Sequence, residues 1–139
     1  MVKPKRYIDS DEELERLTAE WKNRLGLNDW LIAVSLCKQS DMESIDYAGQ
    51  NTVDWVSKTA EIQLLDKGCM PDSMFRQPQE LVLIHELLHC VLYQRFDAEG
   101  AGIEVLTHDM MTHSNIERLA KALYMTKYNI TLEWFKEEW

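Results

Sequence analysis

QELVLIHELLHCVLYQRFD, residues Gln79 to Asp97, is the stretch from which the arrangement of this chain follows. It contains His85-Glu86-Leu87-Leu88-His89, an HExxH pattern. On an α-helix, side chains four residues apart lie one above the other. Both imidazoles then leave one face and can share one metal ion. Glu86 is offset by one residue, where its carboxylate can reach a water on the open side of that ion. Hydrolysis at a zinc centre needs two neutral nitrogen ligands, a third ligand, and a base beside the nucleophilic water. The stretch supplies three of those four parts.

The surroundings of the motif suit a helix. Pro78 can open it, because a first-turn proline forfeits no hydrogen bond. Leu81, Val82, Leu83, Ile84, Leu87, Leu88, Val91, Leu92 and Phe96 make it apolar almost all round, which predicts burial. Two histidines and a glutamate in a buried helix are costly unless they are paired or bind a metal. The ordinary alternative is a pair of core histidines bonded to backbone. The motif in its helical setting favours the metal site.

Upstream, Ser10 begins a capping-box pattern with Glu13 three residues on. Leu14, Leu17, Trp21 and Leu25 follow at helical spacing, and Gly26 suits a stop, which predicts a helix over Asp11 to Leu25. Trp21 reads as core. Trp30 to Cys37 reads as a strand with Ile32, Val34 and Leu36 on one side. Ser40 to Ser44 is a polar loop. The pattern from Ile45 to Trp55 is weaker, and Ala48, Gly49, Val53 and Trp55 give a second strand with Asn51 at a bulge or turn. Ser57-Lys58 turns the chain into TAEIQLL, Thr59 to Leu65, where alternation predicts one buried and one wet face. Asp66 to Gln77, with Gly68, Pro71 and Asp72, is a surface loop. Cys69 within it reads as a partly buried thiol in preference to a zinc ligand or reactive group.

Downstream, Ala98 to Gly102 breaks the motif helix with two glycines. Glu104 to Met111 shows no clear pattern. A last helix spans Thr112 to Lys127, with Ile116, Leu119, Ala120, Leu123 and Tyr124 as its buried stripe. The tail NITLEWFKEEW is a short element packed on the body or an acidic-aromatic contact segment. These patterns predict one α+β domain over residues 1–139: a small antiparallel or mixed sheet of about three strands packed on the N-terminal, motif and C-terminal helices.

Lys and Arg number 15 against 24 Asp and Glu, a net charge of −9. That balance argues against general binding to nucleic acid, which needs a basic face, and against an anionic membrane as partner. It leaves a cationic or unfolded peptide open as substrate. Cys37, Cys69 and Cys90 form no disulfide framework and no CxxC knuckle, which predicts reduced thiols and a cytoplasmic location. MVKPKRYIDSDEE carries basic residues without a following apolar run, so it does not read as a secretory signal. No apolar stretch is long enough to span a bilayer.

A third metal ligand must come from beyond the glycine break. Metzincins place a glycine three and a histidine six residues after the motif; Leu92 and Arg95 stand there and exclude that class. Glu104, His108, Asp109, His113 and Glu117 remain. Glu117 and His113 are the best two, four apart and flanking Ile116 and Ala120. Glu117 also has an ordinary explanation, an i, i+4 pair with Lys121 on a solvated face.

A small sheet ending in TAEIQLL, then HELLH, then a helix with a glutamate resembles a minimal zincin of the gluzincin type. PQELVLIHELLHCVL and HSNIERLAKAL are similar to small proteins of bacteriophages and prophages assigned as metallopeptidases. The similarity covers Trp30 to Leu123 and is specific at HELLH. The resemblance implies zinc held by His85, His89 and Glu117, with Glu86 as base. It also implies an antiparallel edge strand, Thr59 to Leu65, that pairs with an extended peptide. SprT-like proteases, with a third histidine, are a more distant comparison, weakened by the missing cysteine ribbon and basic surface.

The expectation is therefore a zinc metallopeptidase in which Glu86 acts as general base, with a second oxyanion donor among Tyr93, His108, His113 and Tyr124. The alternative is a non-catalytic metal-binding or peptide-binding regulatory protein on the same scaffold. A DNA-associated protease is disfavoured by the charge.

Overall fold

In the computed structural model the elements run α1 (Asp11–Leu25), β1 (Leu31–Cys37), β2 (Gly49–Asp54), β3 (Thr59–Leu65), α2 (Gln79–Val91) and α3 (Ile103–Tyr128), with single 3-10 turns at Gln39–Asp41 and Lys67–Cys69. The structure describes residues 4–43, 47–69, 77–92, 103–133 and 135, and for 103–113 the helical backbone alone. Tyr93 to Asp97, the Ala98 to Gly102 break and most of the tail after Glu133 lie outside the described residues.

α1 starts where the sequence predicts. Ser10 Oγ accepts from the Glu13 amide at 3.2 Å, and the Glu13 carboxylate accepts from the Asp9 amide at 3.0 Å. The reciprocal cap thus closes one residue earlier than its usual form. Gly26, at φ 72°, takes the left-handed conformation that ends the helix. Leu14, Leu17 and Trp21 form the buried stripe.

The three-stranded sheet has the order β1-β3-β2, with β1 parallel and β2 antiparallel to β3. Thr59–Leu65 is therefore the central strand, and the antiparallel edge expected there is β2 instead. Ala60, Ile62, Leu64 and Leu65 are buried, so the strand with the most buried side chains is the covered one, while GQNTVD of β2 tolerates an edge. Asn51 sits in regular register opposite Ile62, not at a bulge or turn.

α2 opens directly after Pro78, whose extended backbone precedes the first turn. It is buried over most of its length, including His85 and Glu86. Glu80 clasps the three helices together. Its carboxylate accepts from Trp21 Nε1 at 3.0 Å on α1, from Lys127 Nζ at 2.7 Å, and from the Tyr128 hydroxyl on α3. Gln79 donates to the Leu65 carbonyl at 2.7 Å and accepts from the Ile8 amide at 2.6 Å, tying the start of α2 to the end of β3.

α3 begins at Ile103, so Glu104 to Met111 is helical. No glycine or proline interrupts that stretch, and helix continues through it. The buried stripe is Ile116, Ala120 and Tyr124, spaced by four; Leu119 is exposed and Leu123 half-buried. Asn129, at φ 52°, ends the helix, and Ile130 and Phe135 return to the core. Among the described residues, no helix is long and apolar enough to cross a membrane.

Candidate functional site

His85, Glu86 and His89 open onto a cleft of about 480 Å³ between α2, β2 and α3. The two rings stand 5.2 Å apart between centroids at 60°, and their Nε2 atoms are 3.4 Å apart. Two nitrogen ligands of one tetrahedral zinc lie about 3.3 Å from each other, given bonds of about 2.0 to 2.1 Å. The motif pair therefore has the separation of two such ligands.

His85 Nδ1 donates to Glu117 Oε1 at 2.8 Å. That bond keeps the proton of a neutral ring on Nδ1 and leaves the Nε2 lone pair facing His89. Burial lowers the proton affinity of His85, but the Glu117 hydrogen bond and the charges of Glu86 and Glu117 outweigh it and raise its pKa. Glu117 turns to His85, while Lys121 lies 5.8 Å over the Phe135 ring, so the simple Glu117–Lys121 surface pair is not what forms.

Glu86 is 7% exposed. Burial pushes its pKa up, the Glu117 charge adds to this, and His85 and the Asn51 amide oppose it. A carboxylate with raised proton affinity beside two imidazoles is suited to accepting a proton. Cys90, behind the motif, is buried and its thiol is pushed up to about 12, first by burial and then by the Glu86 charge.

β2 is fitted closely along α2. A Cβ on Gly49 would stand 2.8 Å from Val82 Cγ1, 3.0 Å from Leu64 Cδ2 and 3.3 Å from Glu86 Oε1. Only glycine lets the strand approach this near. Asn51 Nδ2 donates to Glu86 Oε2. Trp55 Nε1 donates to the His89 carbonyl at 3.1 Å. Gln50 accepts from the Glu43 amide at 2.9 Å and donates to the Asp41 carbonyl at 3.1 Å, which holds Glu43 in the cleft wall.

Of the predicted site residues, His85, Glu86, His89 and Glu117 meet at this cleft. The side chains of Glu104, His108, Asp109 and His113, and all of Tyr93, lie outside the described residues. Tyr124 is fully buried in the core, its hydroxyl without a hydrogen-bond partner among the described residues, and it is not part of the cleft wall. Among the described residues no group of three His, Cys, Asp or Glu side chains is arranged to hold a metal; the two imidazoles fit two corners of a zinc site. Gly49, Asn51, Tyr47 and Glu43 belong to the cleft without having been singled out as site residues from the sequence. One signal was available: asparagine is disfavoured inside a strand, so Asn51 invited a question.

No protein-family model, no curated protein and no solved structure matches this chain.

Proposed function

We propose that this chain is a zinc-dependent peptidase of zincin type. The supporting observation is the pair of motif Nε2 atoms at 3.4 Å beside the buried Glu86 carboxylate. His85 and His89 would hold the ion, with Glu117 or His113, one turn apart on α3, as the third residue. When bound, zinc supplies Lewis acidity and a water acidic enough to ionise near neutrality. Glu86 takes the proton from the attacking water and passes it to the leaving amine. An extended peptide lies along β2, the edge strand in the cleft wall, where its backbone completes a ladder. Free thiols at Cys37, Cys69 and Cys90 suit a reducing, cytoplasmic compartment.

The deciding experiment is Glu86→Gln, assayed for peptide hydrolysis with zinc content measured on the same sample. Loss of turnover with zinc retained is the expected result. Full turnover in that variant would remove Glu86 as the base. The edge strand favours a second reading, a protein that binds peptides without cutting them. Zinc-loaded wild type that captures peptides and never turns them over selects that reading.

A further inference from the structure

We propose that Asn51 is a positioning residue for the base, holding the Glu86 carboxylate from the same strand that receives the substrate. The proposal rests on the hydrolytic reading of the cleft.

Glu86 presents Oε2 to the Asn51 amide and lays Oε1 against Gly49. Gly49 and Asn51 are two apart on β2 and so share the face turned to α2. One position makes room for the carboxylate and the other grips it. The grip is chemically neutral. An amide nitrogen only donates, so Asn51 can orient Glu86 without competing for the proton that Glu86 handles. The alternative side chains fail for stated reasons. Aspartate has no donor and sets a like charge against a buried carboxylate, and alanine leaves Glu86 free to rotate. The residue choice is otherwise unfavourable, since asparagine inside a strand sacrifices β-propensity. Trp55, the residue that follows β2, donates to the His89 carbonyl, so the end of the strand that orients the base is tied to the helix that carries both imidazoles.

The test uses the full chain with zinc and fluorescein-labelled casein as probe. Asn51→Ala is expected to lower kcat about 10- to 100-fold, as displacement of a reacting group by about an ångström does, with KM and zinc content within about twofold. The second readout needs no activity. At pH 8, Asn51→Asp is expected to lower Tm by about 3 to 5 °C in the wild-type background, the shift of roughly 1 kcal/mol in a chain of this size. In a Glu86→Gln background the shift should fall to less than half, because the glutamine amide can donate to the new carboxylate. Because Asn51→Asp is nearly isosteric, this cycle decides the contact even where Asn51→Ala fails to fold. Unchanged kcat in Asn51→Ala, or equal Tm shifts in both backgrounds, overturns the role of Asn51 and leaves the peptidase reading standing. A wild type that holds zinc and hydrolyses nothing overturns the peptidase reading, and the role of Asn51 with it.

Discussion

His85 on α2 donates from Nδ1 to Glu117 on α3 at 2.8 Å, so a carboxylate on one helix decides which nitrogen of a ring on another is available to a ligand. The contact locks ring rotation as well as tautomer, and it spans two elements that are adjacent in space but separated by the chain's glycine-rich break. Glu117 therefore belongs to the cleft on the proposed reading in either of two ways, as a metal ligand or as the group that orients the His85 ring.

Glu117→Gln separates those duties. Glutamine still offers an oxygen to Nδ1 but is a poor zinc ligand. With the observed contact as the main duty, Glu117→Ala should weaken zinc binding about 10- to 100-fold and Glu117→Gln by less than about tenfold. Competition titration against a chromogenic chelator reads both. A collapse in Glu117→Gln as deep as that of His85→Ala, with His113→Ala unaffected, identifies Glu117 as a direct ligand.

Glu80 should be the most costly polar residue to remove outside the cleft. Its carboxylate satisfies Trp21, Lys127 and Tyr128. Glu80→Ala leaves a half-buried ammonium, the buried Trp21 indole N–H and the half-buried Tyr128 hydroxyl undersupplied, at about 3 to 5 kcal/mol. Glu20, 2.5 Å from Lys127 Nζ, offsets part of this, which places the expected loss at the lower end. Urea unfolding monitored by tryptophan fluorescence measures it.

Gly49→Ala is expected to destabilise the fold by about 1 to 3 kcal/mol through overpacking, because the new methyl would stand 2.8 Å from Val82 Cγ1 and 3.0 Å from the fully buried Leu64, which must shift to admit it. It should also lower turnover more than its stability cost explains, since the new methyl presses on Glu86 Oε1. Val82→Ala in the same chain opens space and should restore part of the stability, which a double-mutant cycle in urea detects.

Cys90 gives a pH dependence of definite sign. The thiol ionises at about 9.0 when the chain is unfolded and at about 12 when folded, because it is buried and close to the Glu86 charge. Between those values the unfolded state releases a proton that the folded state keeps. The contribution is fully present below pH 9 and is lost as pH rises towards 12, at up to about 1.4 kcal/mol per pH unit. The stability of wild type should thus fall more steeply over pH 9 to 11 than that of Cys90→Ala. Parallel profiles for the two would contradict the burial assigned to the thiol.

Local signals in the sequence were strong where one side chain pattern decided the outcome. Asp11–Leu25 and Thr59–Leu65 have the predicted limits, because a cap, a stop glycine and strict alternation act within a few residues. Strand order was not legible, because it depends on which strand loses most by exposure. TAEIQLL reads equally well as an edge or a centre until GQNTVD is seen to be the poorer candidate for cover. Glu104 to Met111 has helix-compatible residues but no amphipathic rhythm, so its place in α3 comes from the tertiary context. HELLH announced the site, and helical periodicity brought His113 and Glu117 into consideration. Asn51 and Gly49 reach Glu86 across 35 residues or more of chain, a distance over which no periodicity operates.

β2 is bonded to the sheet along one side, to β3, yet it carries the amide that steadies Glu86. β1, at the other edge, is likewise bonded to β3 alone, but β2 is the edge strand in the cleft wall. On the proposed peptidase reading, a peptide laid on the side of β2 that no described strand occupies would turn that border strand into an interior one and brace it. Occupancy would then firm the contact between Asn51 and Glu86, so that on that reading the loaded protein would hold its carboxylate more firmly than the resting one.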